Sequence, residues 1–159
     1  AERRVESQPL SSGVAYIITS LLQSVVEEGT AKKIQSLKRP AAGKTGTTNN
    51  YKDAWFMGYT PELLTGVWVG KDKDEPLGVN ETGSRAAIPI WLQYMSKVLA
   101  GTPIQNFPVS EEIVFTKTNP KSGKLTNSDD PDGHFEVFLT SQLPEEHLDS
   151  EEIKVDDTF

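Results

Sequence analysis

At 159 residues with a net charge of −7, the chain suits one domain and lacks the basic face of a nucleic-acid binder. It contains no cysteine, which excludes a disulfide framework and any thiolate metal site. No run approaches 18 apolar residues, and Ala1-Glu2-Arg3-Arg4 has no signal-peptide hydrophobic region, so no membrane segment is expected here and any anchor or export signal would lie in further sequence.

Residues 1–10 are charged and polar and read as a lead-in segment. Ser11 or Ser12 then caps a helix. Val14, Ile17, Ile18, Leu21, Leu22, Val25 and Val26 recur at helical spacing, predicting one apolar stripe packed into a core. Gly29 is the expected stop, through a left-handed backbone. Residues 32–39 form a basic connection closed by Pro40, and three strands follow. The first spans 41–48. The second, 53–59, alternates Trp55, Met57 and Tyr59 against Ala54, Phe56 and Gly58. The third, 64–69, forms an antiparallel hairpin with the second through Thr60-Pro61-Glu62-Leu63, where proline suits the second turn position. Residues 71–87 read as a long loop. Pro89 falls in the first turn of a second helix, with a buried stripe of Ile88, Trp91, Leu92, Met95, Val98 and Leu99 and an end at Gly101. Beyond Pro103 the character changes. Residues 113–117 and 136–139 alternate as short strands, 119–123 is a turn, and 145–159 reads as an acidic, disordered tail.

The most informative stretch is Ala42-Gly43-Lys44-Thr45-Gly46-Thr47-Thr48-Asn49. A Lys-Thr-Gly triplet in a strand is one of three elements of a serine acyl-transfer site, beside Ser-x-x-Lys and Ser-x-Asn. No serine here has Lys three residues on, and none has Asn two residues on. The triplet alone also allows a plain solvent-facing strand. A phosphate-binding loop ending in Gly43-Lys44-Thr45 requires glycine at position 38, where Lys38 stands, and a helix beginning at the Lys-Thr. Thr47-Thr48-Asn49-Asn50-Tyr51 favours strand and turn instead. Lys121-Ser122-Gly123 imitates the triplet but follows Asn-Pro as turn chemistry. The run from Ser128 approaches a calcium loop, yet its first position is Ser128 and its twelfth Leu139. His134 and His147 have no partner at helical spacing. Neither a metal nor a cofactor is expected.

Further runs accompany the triplet. They are Ala15-Tyr16-Ile17-Ile18-Thr19-Ser20-Leu21-Leu22, Val25-Val26-Glu27-Glu28-Gly29-Thr30 and the stretch from Arg39 to Asn49. Lys52-Asp53-Ala54-Trp55-Phe56-Met57-Gly58-Tyr59-Thr60-Pro61, Val67-Trp68-Val69-Gly70 and the stretch from Glu81 to Trp91 complete the set. Together they resemble the transpeptidase domain of penicillin-binding proteins, most of all the bifunctional class A enzymes that join a glycosyltransferase to a transpeptidase. The resemblance covers residues 10–144. It implies a partial β-lactamase/transpeptidase-like fold of α+β type, with a three-stranded antiparallel sheet packed with helices and an irregular C-terminal β extension. Residues 11–103 would be the C-terminal part of the transpeptidase domain and 104–144 the extension.

The resemblance also assigns roles. The Thr47 backbone N–H would serve the oxyanion hole, and the Thr45 and Thr47 hydroxyls would bind the carboxylate of a D-Ala-D-Ala stem peptide or a β-lactam. Lys44 would add positive potential and contact the Ser-x-Asn segment, while Gly46 would let substrate approach the strand. The nucleophile is absent, so the chain is expected to be inactive alone, completed by the missing N-terminal part of the same domain. The parent would be an extracytoplasmic peptidoglycan synthase anchored in the cytoplasmic membrane. The alternative is a non-catalytic binding module using the same carboxylate-binding strand edge.

Overall fold

The computed structural model describes residues 8–145, so the expected lead-in (apart from its last residues) and acidic tail lie outside the described residues. The described residues form two compact units divided between Ser110 and Glu111.

The first unit opens with helix α1 (Ser12–Glu27), whose N-cap is Ser11, accepting a hydrogen bond from Val14 N at 3.3 Å. Its stripe is only partly used. Val26 is buried, whereas Ile18 and Leu21 are 40% and 65% exposed. The C-terminal end of α1 reaches the core, and the line through Ile18 and Leu21 does not. The expected left-handed stop at Gly29 is also corrected. Gly29 is absent from the positive-φ positions, and the helix ends as Glu28 N and Gly29 N both donate to Ser24 O. Glycine is required there by close approach: a Cβ would lie 2.8 Å from Val25 O. The basic connection forms a short 3-10 helix, Lys32–Leu37, which buries Ile34.

Strands β1 (Ala42–Thr47), β2 (Asp53–Tyr59) and β3 (Leu64–Gly70) form an antiparallel sheet in the order β1-β2-β3. Thr60 and Leu63 exchange backbone hydrogen bonds across the predicted turn. The alternation in β2 is real: Ala54, Phe56 and Gly58 face inward, Trp55 and Met57 outward. The long loop ends early, in a wide helical turn, Gly83–Ala87, that leads into α2 (Ile88–Val98). Ile88, Trp91, Met95 and Leu99 are buried as expected, but Val98 is 47% exposed.

Phe56 and Trp91 meet edge to face at 5.2 Å in the centre of the core. The facing pair Gly43 and Gly58 makes room for them, since a Cβ on either would fall within 2.6 Å of the Phe56 ring. The Arg39 guanidinium donates to Leu99 O, Thr102 O and Pro103 O at 2.6–3.0 Å, capping the carbonyls at the end of α2.

The second unit is built on an antiparallel pair, β4 (Ile113–Thr118) and β5 (His134–Leu139). In its loop the Lys117 ammonium donates to Ser128 O and Asp130 O at 2.7 and 2.6 Å. The stretch that approaches a calcium loop therefore wraps a lysine. Among the described residues no helix is long and apolar enough to cross a membrane.

Candidate active site

The backbone of β1 sets the geometry. Thr48 N donates to Asp53 O at 3.1 Å, which fixes the phase of the ladder. Successive N–H groups of a strand alternate in direction, so those of Gly43, Thr45 and Thr47 point away from β2. On that side β1 has no strand neighbour in the described sheet. Lys44 Nζ reaches round to the same edge and donates to Thr45 O at 2.9 Å. The edge thus carries the outward Thr47 N–H and an exposed ammonium together.

Side chains alternate across the strand as well. Thr45 and Thr47 share one face. The Thr45 hydroxyl is 3.2 Å from that of Thr30, just past α1. The Thr47 hydroxyl accepts from Gly83 N at 3.2 Å. Gly46 faces the opposite way, where a Cβ would lie 3.3 Å from Trp55 Cβ. On that face Trp55 and Trp68 are paired at 6.2 Å and tilted by 42°. Trp68 Nε1 donates to Asp53 Oδ1 at 2.9 Å, and the Thr48 hydroxyl donates to Asp53 Oδ2 at 3.1 Å.

The structure therefore brings the Lys44 ammonium and the backbone of Thr45 and Thr47 to one strand edge, with the two threonine side chains on one face, while Gly46 pairs with Trp55 of β2 and faces the other way. Two partners escape the sequence reading, Thr30 and Gly83. The stretches quoted for the family contain both, but nothing in their local pattern points to a threonine hydroxyl on another element. Beyond β1, Asn50 and Tyr51 have φ of 60° and 54°, in the left-handed region that non-glycine residues seldom occupy. They line an open groove of about 610 Å³ with Lys52, Pro76, Gly78 and Val79.

Comparison with known proteins gives this arrangement a family. The penicillin binding protein transpeptidase domain matches residues 1–95. Penicillin-binding protein 1A of Pseudomonas aeruginosa is 40% identical over 145 residues, 91% of this chain and 17% of the relative. Penicillin-binding protein 1A of Aquifex aeolicus is 46% identical over 101 residues, 64% of this chain and 14% of the relative. In three dimensions the chain resembles the crystal structure of penicillin-binding protein 1A from Haemophilus influenzae. The TM-score is 0.79 at 31% identity, over 87% of this chain and 22% of that one. The chain belongs to the penicillin-binding protein transpeptidase family, in its class A branch, and has that family's mixed α/β fold. It spans about a sixth of the length of the Pseudomonas relative.

Proposed function

We propose that this chain is the C-terminal part of the transpeptidase domain of a peptidoglycan synthase, supplying its substrate-binding and oxyanion strand. The observation that carries the reading is the outward edge of β1. There the outward N–H groups of β1, the Thr47 N–H among them, stand beside one ammonium and two threonine hydroxyls on a strand that has no strand neighbour on that side among the described residues. Serine acyl transfer needs donors fixed where charge develops on the attacked carbonyl oxygen. A strand edge meets that need, because its N–H groups are immobile and undergo no reorganisation during reaction.

In this mechanism a serine from elsewhere in the domain, giving its proton to a base, attacks the carbonyl of the stem peptide's penultimate D-Ala, or of a β-lactam ring. The Thr47 N–H stabilises the resulting oxyanion. The C–N bond then breaks and the nitrogen takes a proton, releasing the terminal D-Ala or opening the ring. The Thr45 and Thr47 hydroxyls hold the terminal carboxylate, and Lys44 supplies positive potential beside it. Residues 11–103 would form the transpeptidase part and 104–144 a β extension. The parent would act outside the cytoplasm, held by a membrane anchor, and would carry a glycosyltransferase as class A enzymes do. A binding module using the same edge without chemistry is the competing reading, and acylation separates the two.

The test is labelling with a fluorescent penicillin. This chain alone should give no covalent band on a denaturing gel, because it has no Ser-x-x-Lys. The complete synthase should be labelled. In that enzyme Thr47→Val should slow acylation roughly 10- to 100-fold, as expected for one hydrogen bond to a charged group, and Lys44→Ala should slow it more. Labelling of the isolated chain, or acylation of both variants at the parent rate, would sink the proposal.

A further inference from the structure

We infer that Gly83 is a positioning residue for substrate carboxylate binding, acting through the Thr47 hydroxyl; this rests on the carboxylate role proposed above for Thr47. A threonine hydroxyl has one hydrogen to donate and two lone pairs to accept with. The backbone N–H of Gly83 donates to Thr47 Oγ1 at 3.2 Å, which commits one lone pair. The hydrogen is thereby turned away from the Gly83 N–H and left for another acceptor. A carboxylate, which only accepts, is the complementary ligand. Without this bond the hydroxyl would rotate among its staggered positions, and part of the binding free energy would be lost to ordering it.

Only glycine permits the contact. A Cβ on residue 83 would lie 2.3 Å from Trp55 O, 2.9 Å from Gly46 O and 3.1 Å from Thr45 Cβ. The first two are backbone oxygens within the sheet, which cannot yield as a flexible side chain would. Any side chain must therefore lift residue 83 from β1 and withdraw its N–H from Thr47. The glycine is held in place from behind. Arg85 N and Ala86 N donate to Thr82 O, the Thr82 and Ser84 hydroxyls bond at 2.9 Å, and Ile88 N donates to Gly83 O. Ile88 and Trp91 of the following helix are fully buried. The core thus sets the position of an N–H that orients a hydroxyl at the edge of the sheet.

The experiment uses the complete synthase and compares acylation by a carboxylate penicillin with acylation by its methyl ester. Gly83→Ala should lower the acid-to-ester rate ratio about tenfold, the size of one modest hydrogen bond. In a Thr47→Val background the same change should lower the ratio no further. An equal loss with acid and ester would mean that Gly83 matters only to folding, and an additive loss of the ratio in the double variant would mean that it does not act through Thr47; either overturns the assignment. Should Gly83→Ala fail to fold, amide exchange at Gly83 decides instead. It should be about tenfold faster in Thr47→Val, by loss of the same bond, and near the parent rate in Thr47→Ser. Unchanged exchange in Thr47→Val overturns the assignment. A ratio unchanged in Thr47→Val overturns the Thr47 reading itself. A ratio lowered there but unchanged in Gly83→Ala overturns the Gly83 assignment alone.

Discussion

Trp91 joins two strands to a helix through one side chain. Its ring packs edge to face on Phe56, and its Nε1 is shared between Gly58 O at 3.2 Å and Thr65 O at 3.1 Å. Those residues are opposite partners in the β2–β3 register, so the indole fastens α2 to both strands at one point. Trp91→Phe should keep most of the apolar packing and take the second donor from two carbonyls that retain their partners in the β2–β3 ladder. The expected cost is about 0.5–1.5 kcal/mol, measured by thermal or urea denaturation of the complete enzyme. Stability equal to the parent would mean the indole N–H contributes nothing. At this scale the sequence is readable where chemistry is contiguous. Lys44, Thr45, Gly46 and Thr47 lie in one strand, and β alternation separates their directions. Trp91 reads as core from its spacing, while its two carbonyl partners depend on a tertiary register that spacing does not encode. The same is true of Gly83, which is 36 residues from Thr47 in the chain.

Among the elements, the three strands of the sheet agree with the sequence within about a residue at each end, because their alternation and the Thr60–Leu63 turn are local signals. Helix faces are less legible. The same periodicity marks the buried Val26 and the exposed Leu21, and only the neighbours of α1 distinguish them. The junction between turn and helix depends on one further pair. Glu62, in the β2–β3 turn, is 3.7 Å from Arg39, whose guanidinium also caps α2. The Thr60 hydroxyl, and more weakly Arg39, hold the Glu62 carboxyl below the usual carboxylate range, although neither carboxylate oxygen closes a hydrogen bond of good geometry. A carboxyl whose pKa is depressed by folding stabilises the fold above its unfolded value, and that contribution is lost as pH falls through the folded one. Glu62→Gln should therefore lower the melting temperature at pH 7. The gap to the parent should close as pH falls through the folded pKa, which lies below the ordinary carboxylate value, because the parent carboxyl then becomes neutral as well. A gap that persists unchanged through the whole acid limb would show that charge plays no part at this junction.

At the scale of the molecule, the sheet of the first unit is unfinished among the described residues. Strand β3 is its last member, so half of the N–H and C=O groups of 64–70 point to a side with no strand. On one face of the same sheet Trp55, Met57, Leu64 and Trp68 are 44–62% exposed, and on α1 Ile18 and Leu21 are exposed too. An uncovered strand edge beside apolar side chains invites pairing with another chain. In a family whose Pseudomonas member is about six times the length covered here, further chain is the natural cover for such a surface. Produced alone, this chain should meet the same need with a second copy. Sedimentation at micromolar concentration should find a dimer or larger species, and amides of 64–70 should exchange faster on dilution. Co-expression with the remainder of the domain should return a one-to-one complex in which those amides are protected. A stable monomer, with slow exchange across 64–70 and no partner present, would mean that the edge is closed by the chain itself.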